Sequence, residues 1–119
     1  MIYVISGRLA FTNNSRRNNA VTQIQAYATA HAADLFVPAQ IGPYDGSYKY
    51  GPAWQFALNF ELRFLTAATR DDLWTQADAA LGSGAQGPIA GAMLHEFDSN
   101  ADDESNPDQS QINPVTRNY

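Results

Sequence analysis

From Trp54 to Phe64 the chain takes strict turns. Trp54, Phe56, Leu58, Phe60, Leu62 and Phe64 alternate with Gln55, Ala57, Asn59, Glu61 and Arg63. Successive side chains of a β-strand point to opposite faces. This segment therefore lays six large apolar groups on a core and turns the other set toward water or a partner. Each such side chain is worth about 1.5–3 kcal/mol when fully buried. A helix would scatter these groups around its axis, so the chain is committed to a sheet with one covered face.

The remaining periodicities supply what covers that face. Residues 2–11 form a first strand, with Tyr3, Ile5, Gly7, Leu9 and Phe11 on one side. Asn13, Asn14 and Ser15 are helix-capping side chains, and Ala20, Val21, Ile24, Tyr27, Ala28 and His31 follow at helical spacing. A second extended segment covers about 34–40. Asp45-Gly46 suits a tight turn, so this segment and the strand at 54–64 form a hairpin with a long tip. Thr69-Arg70-Asp71-Asp72 reads as a second helix start, Leu73, Trp74, Ala77, Ala80 and Leu81 as its buried side, and Gly82 as its stop. A last strand covers about Ile89 to Phe97.

The order β-α-β-β-α-β predicts an α+β fold of the ferredoxin-like kind, an antiparallel sheet with two helices on one face. Its expected features include the long tip between the second and third strands and an extended C-terminal tail. At 119 residues the chain suits one core. Residues 1–97 are expected to be the domain and 98–119 an acidic polar tail. The fold hosts many activities, so function has to be argued from sites.

The net charge of −5 is unevenly spread. Residues 1–97 hold seven acids and six bases, whereas 98–119 hold five acids and Arg117 alone. A near-neutral body with one lysine lacks the basic patch that phosphate backbones require, so no nucleic-acid partner is expected. The strand at 54–64 also turns no stacking aromatic outward. Cysteine is absent, which excludes disulfides and thiolate metal sites. The N-terminus reads as a strand, not as a signal peptide, and no run approaches a membrane span. A cytoplasmic or virion location is expected, with no membrane partner.

Several motifs have ordinary readings. Residues 82–87, Gly-Ser-Gly-Ala-Gln-Gly, carry the letters of a dinucleotide-binding pattern but follow a helix and precede a strand, the reverse of the required polarity. No cofactor is expected. Asp98, Asn100 and Asp102 match the first ligand positions of a calcium loop, yet the turn glycine and twelfth-position Glu are missing, so they make a weak candidate. Asn13-Asn14-Ser15 has the form of a glycosylation acceptor and reads as a cap. His31 lies on the apolar stripe of the first helix. His95 and Glu96 are chain neighbours on a strand, point to opposite faces and make a poor acid–base pair.

What remains points to assembly. Between Asn18 and Phe60 the only charges are Asp34, Asp45 and Lys49, and the outward side of the first helix (Thr22, Gln23, Gln25, Ala26, Thr29, Ala30) has none. Depletion of charge marks contact surfaces. Tyr44, Tyr48, Tyr50 and Trp54 make the hairpin tip aromatic and suited to recognition. A tail so poor in apolar groups does not fold alone. It is expected to lie on a neighbouring subunit near Arg16 and Arg17, with Ile112, Val115 and Tyr119 as anchors.

The leading expectation is a non-enzymatic structural protein, a bacteriophage tail, connector or capsid-associated component that forms homo-oligomers or joins other assembly subunits. Two alternatives compete with it. One is a dimeric α/β-barrel enzyme on an apolar small molecule, with Arg8, Glu61, Arg63 and His95 lining its cavity. The other is an acidic inhibitor that mimics nucleic acid through the tail's carboxylates.

Overall fold

A computed structural model describes residues 1–11, 13–45, 56–81, 92–100 and 111–119. Its elements are β1 (Ile2–Phe11), α1 (Asn14–Ala30), a 3-10 turn (Ala32–Asp34), β2 (Gln40–Asp45), β3 (Phe56–Phe64), α2 (Ala67–Leu81), β4 (Met93–Ser99) and β5 (Ile112–Asn118). All five strands join one antiparallel sheet in the order β2-β3-β1-β4-β5. The α+β class is as expected. The simple β-α-β-β-α-β order is corrected at its end: residues 112–118, expected in a tail, form a fifth strand on β4, and β4 itself continues to Ser99.

Register explains the core. Tyr3, Ile5, Gly7, Leu9 and Phe11 of β1 stand opposite Phe64, Leu62, Phe60, Leu58 and Phe56 of β3. Ile5, Leu9, Phe11, Leu58, Phe60, Leu62, Phe64 and Leu94 form one core with Ile24, Tyr27 and Ala28 of α1 and Leu73 and Leu81 of α2. The alternation at 54–64 thus works as anticipated from Phe56 onward; Trp54 and Gln55 lie outside the described residues.

Two further boundaries differ from expectation. The second strand begins at Gln40 and not near Asp34, because Ala32–Asp34 close a 3-10 turn and only Leu35 bridges Phe64. The backbone N–H of Phe36 donates to Arg63 O at 2.8 Å, and that of Leu65 to Asp34 O at 2.8 Å, so this segment splints the end of β3. Helix α2 starts at Ala67, ahead of Thr69. The Thr66 hydroxyl donates to Asp34 Oδ2 at 2.8 Å and lies 3.0 Å from the Thr69 hydroxyl, which fixes the first turn early. Helix α1 starts as read, with Asn13 Oδ1 accepting from the Arg16 N–H at 2.8 Å. The last pair of the β2–β3 hairpin is Asp45 with Phe56, and the turn glycine Gly46, the segment at 82–87 and Ile89 lie outside the described residues.

The two halves β1-α1-β2 and β3-α2-β4 repeat each other. Arg17 is the fourth residue of α1 and Arg70 the fourth of α2. Arg17 Nη1 donates to Tyr44 O at 3.0 Å and to Asp45 Oδ1 at 3.3 Å. Arg70 Nη1 donates to Phe97 O at 3.1 Å and to Asp98 Oδ1 at 3.0 Å. Each Nε donates to the next side chain, Asn18 Oδ1 or Asp71 Oδ1, at 2.8 Å. Each guanidinium lies by a ring from the other half, 6.0 Å from the centroid of Phe56 and 5.5 Å from that of Tyr3. Counterparts are 53 positions apart throughout: 3 and 56, 17 and 70, 18 and 71, 44 and 97, 45 and 98.

Candidate functional site

The helices cover one face of the sheet, and the other carries two polar rows across it. In the first, Gln40, Glu61, Ser6, His95 and Thr116 stand in register across all five strands. In the second, the register runs Gly42, Asn59, Arg8, Met93 and Asn118. Sheet period and strand pairing alone bring these residues together from five separate stretches of sequence. On either side lie Arg63, Val4 and Phe97, and Tyr44, Ala57 and Ala10. An open groove of about 660 Å³ follows β2, lined by Gln40, Gly42, Asn59, Glu61 and Ser6 among others.

The ionisable groups of this face have local partners. Arg63 Nε donates to Glu61 Oε2 at 3.1 Å, with both side chains partly shielded. The His95 ring is held at both nitrogens, Nδ1 lying 2.6 Å from Thr116 Oγ1 and Nε2 3.0 Å from Gln111 Oε1. Gln111 Oε1 can only accept, so Nε2 donates to it, while the Thr116 hydroxyl can serve Nδ1 in either role. His95 also packs on Phe97, with centroids 5.7 Å apart. Glu61 and His95 flank Ser6 from opposite sides, two strand spacings or about 10 Å apart. That is too far for direct proton transfer, which needs hydrogen-bond contact or one bridging water.

A second ionic cluster lies between the helices and the sheet. Arg70 is 7% exposed. Besides Asp71 and Asp98, its Nε lies 3.2 Å from Glu96 Oε2. The Nε–H points at Asp71, so Glu96 Oε2 is buried and accepts no hydrogen bond. Burial pushes the Glu96 carboxyl above its ordinary 4.5; the charge of Arg70 opposes this, and Asp71 and Asp98 reinforce it. The sequence held a signal for both buried arginines. Arg70 precedes Leu73 and Trp74 at helical spacing, and Arg17 precedes Ala20 and Val21 in the same way. An arginine opening an apolar stripe is itself on the inward side.

The residues expected at an interface are distributed differently. Tyr44 is 40% exposed on the helix-free face, as a contact residue requires. Tyr48, Tyr50 and Trp54 lie outside the described residues. Arg16 is half-buried in the first turn of α1. Arg17 is 8% exposed, and its donors go to its own chain: to the β2–β3 hairpin, including Ala57 O at 3.4 Å, and within α1 to Asn14 Oδ1 at 2.8 Å.

The described tail residues lie on the same chain's sheet and core. Ile112 is half-buried and Val115 47% exposed on β5. Tyr119 packs on its own core, donating from Oη to Asp78 Oδ1 at 2.6 Å and from its backbone N–H to Ala92 O at 2.9 Å. Of the weak calcium set, Asp98 is bound to Arg70, Asn100 is exposed and Asp102 lies outside the described residues. Among the described residues no three metal-ligating side chains cluster, and no helix is long and apolar enough to cross a membrane.

Arg8, Glu61, Arg63 and His95, the cavity residues of the enzyme alternative, do share the helix-free face. Glu96 faces the helices and His95 the opposite side, as strand alternation demands. In comparison with known proteins, the chain matches no family model, no curated protein and no solved structure.

Proposed function

We propose that the chain is a non-enzymatic assembly subunit that joins copies of itself or other subunits through the helix-free face of its sheet. The observation that carries this reading is the pair of polar rows, which present amide, hydroxyl and charged groups over five strands. A broad, wet, hydrogen-bonding surface of this sort suits subunit contact. The groups that chemistry would need are engaged locally, His95 by Thr116 and Gln111 and Glu61 by Arg63. The body is read as a ferredoxin-like unit with an appended strand, supported by the order β2-β3-β1-β4 and by the 53-residue repeat. A bacteriophage virion is the proposed setting, resting on the small size and this contact face.

Native mass by light scattering at micromolar concentration tests the proposal. A multiple of the 13.0 kDa chain is expected. Asn59→Arg, on the exposed face, should lower it, whereas Ala79→Arg, on the solvent side of α2, should leave it unchanged. A monomer at every concentration would remove the reading.

A second reading, the dimeric α/β-barrel enzyme, is favoured by one observation: Arg8, Glu61, Arg63 and His95 converge on one sheet face beside the groove. The groove wall mixes Ser6, Gln40, Asn59 and Glu61 with Ala39, Ile41, Gly42 and Phe60, so it offers a small ligand apolar as well as polar contact. A strict dimer closed face to face around a bound small molecule would select this reading.

A further inference from the structure

We propose that β5 is an exchangeable strand, so that in a pair of copies each β5 lies on the β4 of its partner. This rests on the assembly reading and names one way in which two copies are joined.

The 53-residue repeat shows which part of the molecule is complete without β5. Each half ends on a flanking strand, β2 or β4, held by its buried arginine. The two outer edges are then protected differently. On β2 the edge is exposed and carries Pro43, whose missing N–H blunts further pairing. The counterpart of Pro43 is Glu96, a residue with its donor intact, and β4 is covered by β5 instead. The sheet needs a strand on β4, and nothing in that need specifies whose.

Little of β5 is buried. Six of its seven residues are exposed, and its side-chain attachments are Thr116 to His95 and Arg117 to Asp78, with Tyr119 to Asp78 just beyond. An exchanged pair re-forms every one of these bonds, so the trade is nearly neutral in contacts, which is why strand exchange is a low-cost route to dimers. Residues 100–111 separate β4 from β5. Twelve residues span up to about 40 Å when extended, against a longest dimension of 40 Å for the chain. A hairpin loop needs only two to five.

A tethered strand meets its own β4 at an effective concentration near millimolar. Exchange is therefore populated in concentrated protein or inside an assembly.

The chain has no cysteine, so trapping is clean. Met93 and Asn118 are paired across β4 and β5. Full-length Met93→Cys and Asn118→Cys chains are mixed at millimolar concentration, incubated, and oxidised. The expected result is a disulfide-linked unlike pair, several-fold more abundant than from a control mixture of Gln25→Cys with Asn118→Cys. Equal yields from test and control mixtures would overturn the exchange. Light scattering on the same samples separates the two proposals: oligomers without the specific cross-link sink the exchange alone, and monomers throughout sink both.

Discussion

Arg17 and Arg70 are held alike: each is the fourth residue of its helix, and each grips the carbonyl of an aromatic residue and the carboxylate of the aspartate after it. One donor fork thus ties each helix start to a strand on the flank of the sheet. The acceptors diverge in direction, which a guanidinium can serve and an ammonium cannot.

Arg17→Lys should accordingly fail to replace arginine. Lysine reaches some of Tyr44 O, Ala57 O, Asp45 and Asn14 but not all, leaving buried acceptors short of a donor. The expected loss is about 1–3 kcal/mol, measured as a fall in urea midpoint without change in slope. Amide exchange should accelerate first in β2. A lysine variant as stable as the parent would show that the fork geometry is irrelevant.

Glu96 gives a pH signature. Burial raises its carboxyl above 4.5 in the folded state, with Arg70 opposing and Asp71 and Asp98 adding to the rise. Between 4.5 and the raised value the folded chain holds the proton longer than the unfolded chain, so this group's contribution to stability is lost as pH rises through that window. Glu96→Gln should flatten the curve of midpoint against pH above the carboxyl's ordinary 4.5. It should match or exceed the parent at pH 7, because Arg70 keeps Asp71 and Asp98. A variant losing more than about 1 kcal/mol at pH 7 would mean that the Glu96–Arg70 contact is net stabilising.

Gly7 and Phe60 are counterparts in the repeat and also face each other across β1 and β3. Two large side chains could not share that spot. The Phe60 ring occupies the space where a Gly7 Cβ would stand, with Cζ 2.7 Å from that position. Phe60 is buried in the core and has little room to retreat. Gly7→Ala should cost about 1–3 kcal/mol as overpacking. Phe60→Leu in the same chain should recover part of that loss, a coupling visible in a double-mutant cycle of thermal midpoints.

What the sequence made legible was whatever it wrote as apolar period. Ile2–Phe11 and the stripe Ile24, Tyr27, Ala28 were read correctly because alternation and helical spacing are strong there. The buried arginines were missed because charge is normally read as solvated, although both open their apolar stripes. Strand β5 was missed for the opposite reason: Ile112–Asn118 carries a proline, one positive φ and almost no apolar alternation, and its backbone pairing with β4 is what makes it a strand. The polar rows of the helix-free face were half visible. Asn59 and Glu61 showed on one strand, but their alignment with Ser6, Arg8 and His95 depends on register, which no local pattern encodes.

Asp78 is the remaining lever on β5. Its two carboxylate oxygens accept from Arg117 Nη1 at 2.7 Å and from Tyr119 Oη at 2.6 Å, joining α2 to the last strand and the residue beyond it. Burial, and then the bond to Asp78, hold the Tyr119 phenol above its ordinary pKa, so it remains a donor across the physiological range. Asp78→Ala removes both bonds and leaves the half-buried phenol without this acceptor. The cost is about 1–3 kcal/mol, and its location matters more than its size. Because β5 buries little else, the loss should fall on local opening: amide exchange at 93–99 and 112–118 should quicken by about one to two orders of magnitude, while β1 and β3 keep their protection. Uniform loss of protection across the sheet would instead show that β5 and the core unfold as one unit, and that the fifth strand is no mere appendage.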